Sequence, residues 1–412
     1  MASAIWQFAY LAIAQEVPIA SGNSPLFQLL QPKQSGIEFT QPIDLQHPMK
    51  YLYVGGYASA GIAIGDINGD GLQDLFFSGG PVANRLFLNA SQAQHIRFTD
   101  ITSQSGIEAN NAWAAGVTFV DVDGDSDLDI YVCYYDSPNQ LYINQSTDNQ
   151  IRFVESARQF GLDLVDASFM PTFCDFDRDG DLDLFITGYQ YINPAGRPAE
   201  LPVTERNGKT EVLPQFQKYY GIVPGLDGTP TFTNVGRADY LLRSNASETQ
   251  GKQIRFQDIT QQAGISGIGV GNSAVWWDYN QDGWPDLYVG NDFKVADQLF
   301  RNNGDGTFTD VIQETVSHTT WFSMGSEVGD INNDGILDFL ISDMAGTTHY
   351  RSKVTMGEMS VNAEFLRTAE PRQLMRNALF IGTGTDRLLE AAYLCGLANS
   401  DWTRGRQIGG LG

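Results

Sequence analysis

From Tyr57 onward, apolar and polar positions follow one recurring order. A strand of small residues leads, as in Ala60-Gly-Ile-Ala-Ile-Gly65, Ala115-Gly-Val-Thr-Phe-Val120 and Ala274-Val-Trp-Trp277. A dense polar loop follows. An apolar strand comes next at Leu75-Phe-Phe, Ile130-Tyr-Val-Cys133, Leu184-Phe-Ile, Leu287-Tyr-Val and Phe339-Leu-Ile341. A third strand starts after a turn, at Arg85-Leu-Phe-Leu-Asn89, Gln140-Leu-Tyr-Ile-Asn144, Tyr240-Leu-Leu-Arg243, Gln298-Leu-Phe-Arg-Asn302 and Ala378-Leu-Phe-Ile381. A fourth closes the unit at Ile96-Arg-Phe-Thr-Asp-Ile, Ile151-Arg-Phe-Val-Glu, Ile254-Arg-Phe-Gln-Asp-Ile and Thr307-Phe-Thr-Asp-Val. Gly106, Gly161 and Gly264 then lead into the next unit. Short aromatic and β-branched runs bounded by Gly, Asp and Asn read as strands.

The loops begin at residues 66, 121, 175, 278 and 330, in steps of about 55, 54, 103 and 52 residues. The long step holds one repeat plus an insertion. Four short antiparallel strands in about 50 residues predict an all-β fold, a β-propeller of four-stranded blades. Residues 1–50 read as an N-terminal segment with a strap, and 51–412 as the propeller, its last blade incomplete. Insertions at about 189–238 and 343–376 both fall between second and third strands. In an antiparallel sheet the one–two and three–four turns share a face, so both insertions are expected on the face opposite the loops.

Each loop repeats one chemistry. Asp175, Asp177 and Asp179 alternate, Gly180 turns the chain, and Asp183 follows three residues later. The other copies are Asp66, Asn68, Asp70, Asp74; Asp121, Asp123, Asp125, Asp129; Asp278, Asn280, Asp282, Asp286; and Asp330, Asn332, Asp334, Asp338. Calcium takes six to eight hard oxygens at roughly 2.3–2.6 Å, and a glycine lets the backbone bend around it. Like charges this dense repel one another without a cation. The expected cofactor is about five Ca²⁺. An EF-hand is excluded, because its loop has 12 residues, ends in Glu and lies between helices.

The charge agrees with the loops. Among 412 residues, 49 are acidic and 25 basic, a net charge of −24. The loops hold 17 carboxylates at ligand positions, and five divalent ions would bring the net charge to −14. Such an acidic chain is no nucleic-acid binder, since phosphate contacts need a basic surface. Cys133, Cys174 and Cys395 are odd in number and read as small buried residues rather than a disulfide framework. No apolar run of 18 residues spans a membrane. Ala4–Ala14 is a short apolar stretch ending in Ala12-Ile-Ala14, suited to signal cleavage but without a basic start. Calcium loops work best in millimolar calcium, so an extracytoplasmic location (secreted, periplasmic or cell surface) is expected.

The face opposite the loops also collects Trp113, Phe169, Trp276, Trp321, Phe322, Trp402 and His318. These either pack under neighbouring blades or line a mouth that holds a ligand. For catalysis the one candidate cluster is His318 with His349, Tyr350 and Arg351. No Gly-x-Ser-x-Gly elbow or Gly-rich phosphate loop occurs, so no catalytic residue is assigned.

The repeats resemble the FG-GAP/VCBS repeats of integrin α-subunit-type propellers. The fuller similarity, over about residues 50–403, is to bacterial proteins of the ASPIC/UnbV group, related to cartilage acidic protein. It is carried by Trp276-Trp-Asp-Tyr-Asn-Gln-Asp-Gly-Trp-Pro-Asp-Leu-Tyr-Val-Gly-Asn-Asp292, Phe322-Ser-Met-Gly325, Asp343-Met-Ala-Gly-Thr-Thr-His-Tyr350 and Met375-Arg-Asn-Ala378. The resemblance implies an exported calcium-binding propeller, commonly seven-bladed, with no established activity in the bacterial members. Ser126 departs from the pattern by replacing the turn glycine of the second loop, which is expected to strain that site. After Asp401-Trp-Thr403 the family pattern would continue into another loop, whereas here Arg404–Gly412 follows. A one-nucleotide shift across Gly405–Gly412 can restore a strand and loop start. The expectation is a truncated or frameshifted product lacking the last blades and the C-terminal ASPIC/UnbV domain.

The function expected is a secreted, calcium-stabilised, non-catalytic binding or adhesion scaffold. It would be a monomer that takes a protein or polysaccharide ligand on the insertion face. The alternative is a propeller-framed enzyme of polysaccharide lyase or quinone-dependent dehydrogenase type. A third reading is a purely structural calcium module.

Overall fold

The computed structural model describes residues 28–403 apart from 54, 59, 94, 109–111, 148–149, 225–229, 250–252, 294, 357–369 and 402. The expected signal segment, Trp402 and the stretch from Arg404 to Gly412 lie outside the described residues. Five antiparallel four-stranded sheets follow one another. Blade 1 is Ile62–Gly65, Asp74–Phe77, Arg85–Asn89 and Phe98–Asp100. Blade 2 is Trp113–Val120, Asp129–Pro138, Gln140–Asn144 and Phe153–Glu155. Blade 3 is Val165–Cys174, Asp183–Gly188, Tyr240–Ser244 and Phe256–Asp258. Blade 4 is Gly271–Trp277, Asp286–Asn291, Gln298–Asn302 and Phe308–Asp310, and blade 5 is Gly325–Gly329, Asp338–Ser342, Ala378–Ile381 and Leu389–Glu390. The first strands of successive blades contact one another in order from blade 1 to blade 5. The protein is nearly all-β, with curled sheets consistent with a β-propeller.

The core explains why the second strands are apolar without alternation. Along Asp129–Pro138, Ile130, Val132 and Tyr134 pack with Phe76 and Leu86 of blade 1, while Tyr131, Cys133 and Tyr135 pack with Leu184 and Ile186 of blade 3. Blade 3 turns Phe185 toward Leu287 and Val289 of blade 4, and Tyr288 of blade 4 meets Phe339 and Ile341 of blade 5. A strand buried on both faces needs apolar residues at every position. Each such side chain stabilises by roughly 1.5–3 kcal/mol when fully buried.

Several departures from the sequence reading are local. Blades 2 and 3 are joined into one sheet, because the long strand Asp129–Pro138 also pairs with Val165–Cys174 through Tyr135↔Ala167 and Pro138↔Val165. Between the second and third strands of blade 3 stand two hairpins, Val203–Arg206 with Lys209–Val212 and Tyr220–Pro224 with Pro230–Asn234. In blade 5 the matching stretch contains the helix His349–Met356 and ends in Gln373–Leu374, which pairs parallel with Thr319–Thr320. Of the three free cysteines only Cys133 is buried; Cys174 is half-buried, and Cys395 is exposed in the turn before Gly396.

Of the two readings left open for the aromatic residues, those among the described residues follow the packed one. Trp113 is 1% exposed and donates its Nε1–H to the Tyr57 carbonyl, 3.0 Å away. Trp276 lies in the first strand of blade 4, against Phe176, Phe185 and Phe308. Trp321 and Phe322 are buried and stack on Phe293. Phe169 stacks on Tyr189. The segment just before blade 1 supplies the cover: Leu52 and Tyr57 are buried, and Tyr57 meets Tyr135, Phe169 and Tyr189 edge-on.

Candidate metal centres

All five acidic loops join the first and second strands of a blade, and the ninth-position Asp opens the second strand each time. The loop backbone is the same in each. Its fourth residue is left-handed (Gly69, Gly124, Arg178, Gln281, Asn333), and so is its sixth (Gly71, Ser126, Gly180, Gly283, Gly335). The first carboxylate shapes this bend by accepting backbone N–H groups. Asp66 Oδ2 takes Gly71 at 2.7 Å, Asp121 Oδ2 takes Ser126 at 2.9 Å, and Asp175 Oδ2 takes Gly180 at 3.1 Å. Asp278 and Asp330 do the same with Gly283 and Gly335.

The ninth carboxylate ties the loop to the sheet. Asp74, Asp129, Asp183, Asp286 and Asp338 are buried. Each accepts, through Oδ1, the backbone N–H at the end of its third strand or just beyond: Asn89, Asn144, Ser244, Asn302 and Gly382. In four loops Oδ2 also accepts the second loop residue, as Asp74 does from Ile67. In the third loop Asp183 Oδ2 has no partner. Each carboxylate oxygen carries two lone pairs, so these bonds leave capacity for a cation.

The third and fifth positions divide the loops into two kinds. In loops one, four and five an amide stands third and donates to the fifth carboxylate: Asn68 to Asp70, Asn280 to Asp282, Asn332 to Asp334. Loops two and three have carboxylates there. Asp121, Asp123 and Asp125 bring oxygens within 4.8 Å of one another, as do Asp175, Asp177 and Asp179. Asp127 and Asp181 add a seventh-position carboxylate to each. Buried oxygens of Asp123, Asp127, Asp177, Asp181 and Asp183 lack any hydrogen-bond partner. A hard divalent cation fits that donor set, whereas unpaired buried carboxylate is costly.

The electrostatics point the same way. Burial pushes Asp129 and Asp286 up to about 7 and Asp183 up to about 8, although backbone N–H donors pull each down. Asp123 and Asp177 rise through burial and then through the neighbouring carboxylates. Burial thus disfavours the charged form of these five carboxylates, and a bound divalent ion opposes that penalty.

The sequence reading missed a second repeated set. The residue before each third strand is Asn84, Asn139, Asp239, Asp297 or Asn377. Each accepts, through Oδ1, a backbone N–H of its second strand or just past it: Gly79, Tyr134, Gly188, Asn291 and Asp343. Aligning the third strands would have revealed it. The one candidate catalytic cluster is divided between buried and exposed positions. His318 is 5% exposed, contacts Ser317 Oγ through Nδ1, and burial lowers it to about 4. His349 and Tyr350 are exposed on their helix, and Arg351 pairs with Asp401 at 2.6 Å.

The family described as FG-GAP-like repeat matches residues 66–132, 121–186 and 278–341, so the chain carries FG-GAP-like repeats. Cartilage acidic protein 1 of Xenopus tropicalis is 28% identical over 144 residues, 35% of this chain and 21% of that protein. The Homo sapiens protein of that name is 26% identical over 208 residues, 48% of this chain and 29% of its own length. The matched region therefore spans less than a third of these relatives. A solved Agrocybe aegerita lectin, described as recognising non-reducing terminal N-acetylglucosamine, is 14% identical over 79% of this chain and 77% of its own. Its TM-score of 0.34 carries no argument.

Proposed function

We propose that this chain, which carries FG-GAP-like repeats, is an exported and non-catalytic binding scaffold whose blades are braced by about five calcium ions. The observation that carries the reading is the set of partnerless buried oxygens on Asp123, Asp127, Asp177, Asp181 and Asp183. In each loop the first, third, fifth and ninth side chains would hold the ion. Calcium would supply charge neutralisation and a rigid link between first and second strands. Asp and Asn side chains already shape the loop by taking backbone N–H groups, so binding and folding are coupled.

Binding is assigned to the face opposite the loops, where the two hairpins of blade 3 and the helix of blade 5 project from a rigid frame. A protein or polysaccharide fits such a surface better than a small molecule, because Tyr57, Trp113 and Trp321 are consumed by packing. Burial of His318, while His349 stays exposed, supports the non-enzymatic reading. Thermal unfolding in millimolar calcium and in excess chelator tests the brace. Chelation should lower the melting temperature by many degrees, and an unchanged melt contradicts structural calcium. Purified polysaccharides passed over the immobilised chain, with and without the hairpin at 203–212, test the face.

A further inference from the structure

In the third loop a guanidinium pairs with the loop's own carboxylates, which none of the other four loops shows among the described residues. Arg243, in the third strand of blade 3, places Nε 2.8 Å from Asp177 Oδ2 without hydrogen-bond alignment. Its Nη2 lies 3.4 Å from Asp179 Oδ2 and 3.2 Å from Glu248 Oε1. The matching positions are Leu88, Ile143 and Ile381 in blades 1, 2 and 5. Blade 4 has Arg301 there, which makes no ion pair among the described residues. We propose that the third loop is a contested cation site, where the Arg243 guanidinium is an internal counter-ion that a divalent ion must displace. The proposal rests on the calcium reading above and deepens it by naming how one loop is regulated.

Two independent observations mark this loop as a binding site beyond its acidity. Asp183 is 1% exposed and its Oδ2 has no partner; Asp181 is 9% exposed and its Oδ1 has none. Arg243 reaches Asp177 and Asp179 but leaves those two oxygens unmet. A guanidinium offers only N–H donors and cannot be deprotonated, so it screens the loop's charge without filling the oxygen cage. It and a divalent ion compete for Asp177 and Asp179. Glu248, whose side chain is 61% exposed and already in contact, is where the displaced guanidinium retreats.

The competition also reaches the neighbouring turn. Ser247 donates its Oγ–H to Asp179 Oδ2 at 2.9 Å and its backbone N–H to Asp181 Oδ2 at 2.7 Å. An ion that claims these oxygens loosens the Ala246–Thr249 turn along with Arg243. The third loop therefore loads more weakly than the second, which has as many carboxylates and meets no Lys or Arg among the described residues.

Calcium titrated calorimetrically into the full, chelator-stripped chain tests this. Arg243→Gln should tighten the third-loop site by about tenfold, since affinity follows the net charge of the ligand set. Glu248→Gln removes the retreat and should weaken the same site about threefold, which gives a second reading if the first variant folds poorly. Unchanged affinities in both variants, with wild type still binding calcium, overturn the proposal and leave the calcium reading intact. No calcium uptake by wild type overturns both.

Discussion

Ser126 holds a left-handed backbone, φ +75°, at a place where the other four loops have glycine. A side chain costs roughly 1–2 kcal/mol in that conformation, offset in part by the entropy glycine loses on folding. Ser126→Gly should therefore stabilise the calcium-loaded chain by about 0.5–1 kcal/mol, read as a higher urea midpoint. Asp297 offers a second single-residue test. Burial pushes its carboxyl up to about 7, while the hydrogen bonds from Ser323 and Tyr288 pull it down. Its folded value lies above the unfolded one, so its contribution is complete below about pH 4 and is lost as pH rises through about 7. Asn139 fills the same place in blade 2 and donates to Tyr131 and Ser168, the counterparts of Tyr288 and Ser323. Asp297→Asn should thus gain on wild type by roughly 2 kcal/mol between pH 5 and pH 8. Parallel stability profiles for the two proteins would contradict that placement.

Adjacent blades are stitched at the loop end by asparagines that close the third strands. Asn144 Nδ2 donates to the Ile67 carbonyl of the preceding loop at 3.0 Å, and Asn302 Nδ2 to the Phe176 carbonyl at 2.9 Å. Each also bonds within its own blade, to Leu128 and Pro285. Asn302→Ala strands two carbonyls and should cost about 1–3 kcal/mol in a denaturant titration, with the calcium stoichiometry unchanged. The strands themselves were legible, because apolar runs and acidic loops recur at a steady step. The stitches were not: an asparagine ending a strand carries no sign of which blade its amide faces. Which of two readings the tryptophans followed was hidden for a related reason. Spacing placed Trp113 at one end of its blade, but only the fold shows the Tyr57 carbonyl already taking its indole N–H.

At the scale of the whole molecule, the acidity is concentrated rather than spread. The ligand positions line one end of the blades, and open grooves run between neighbouring loops there. One of about 840 Å³ is lined by Asp66, Asn68 and Asp70 with Asp127 of the next blade. Another joins Asp121 and Asp123 to Asp181 and Ser247. Charge of one sign gathered this way opposes folding unless cations share the surface. The loop positions could be read from the chain because their spacing is rigid. The guanidinium in the third loop could not, since Arg243 enters from a strand 60 residues later than Asp183. Equilibrium dialysis of the full chain against radioactive calcium at millimolar concentration tests the central claim most directly. About five ions per chain are expected, released by chelator together with a loss of stability. Less than one ion per chain, on a protein that is folded and equally stable without it, would contradict the account.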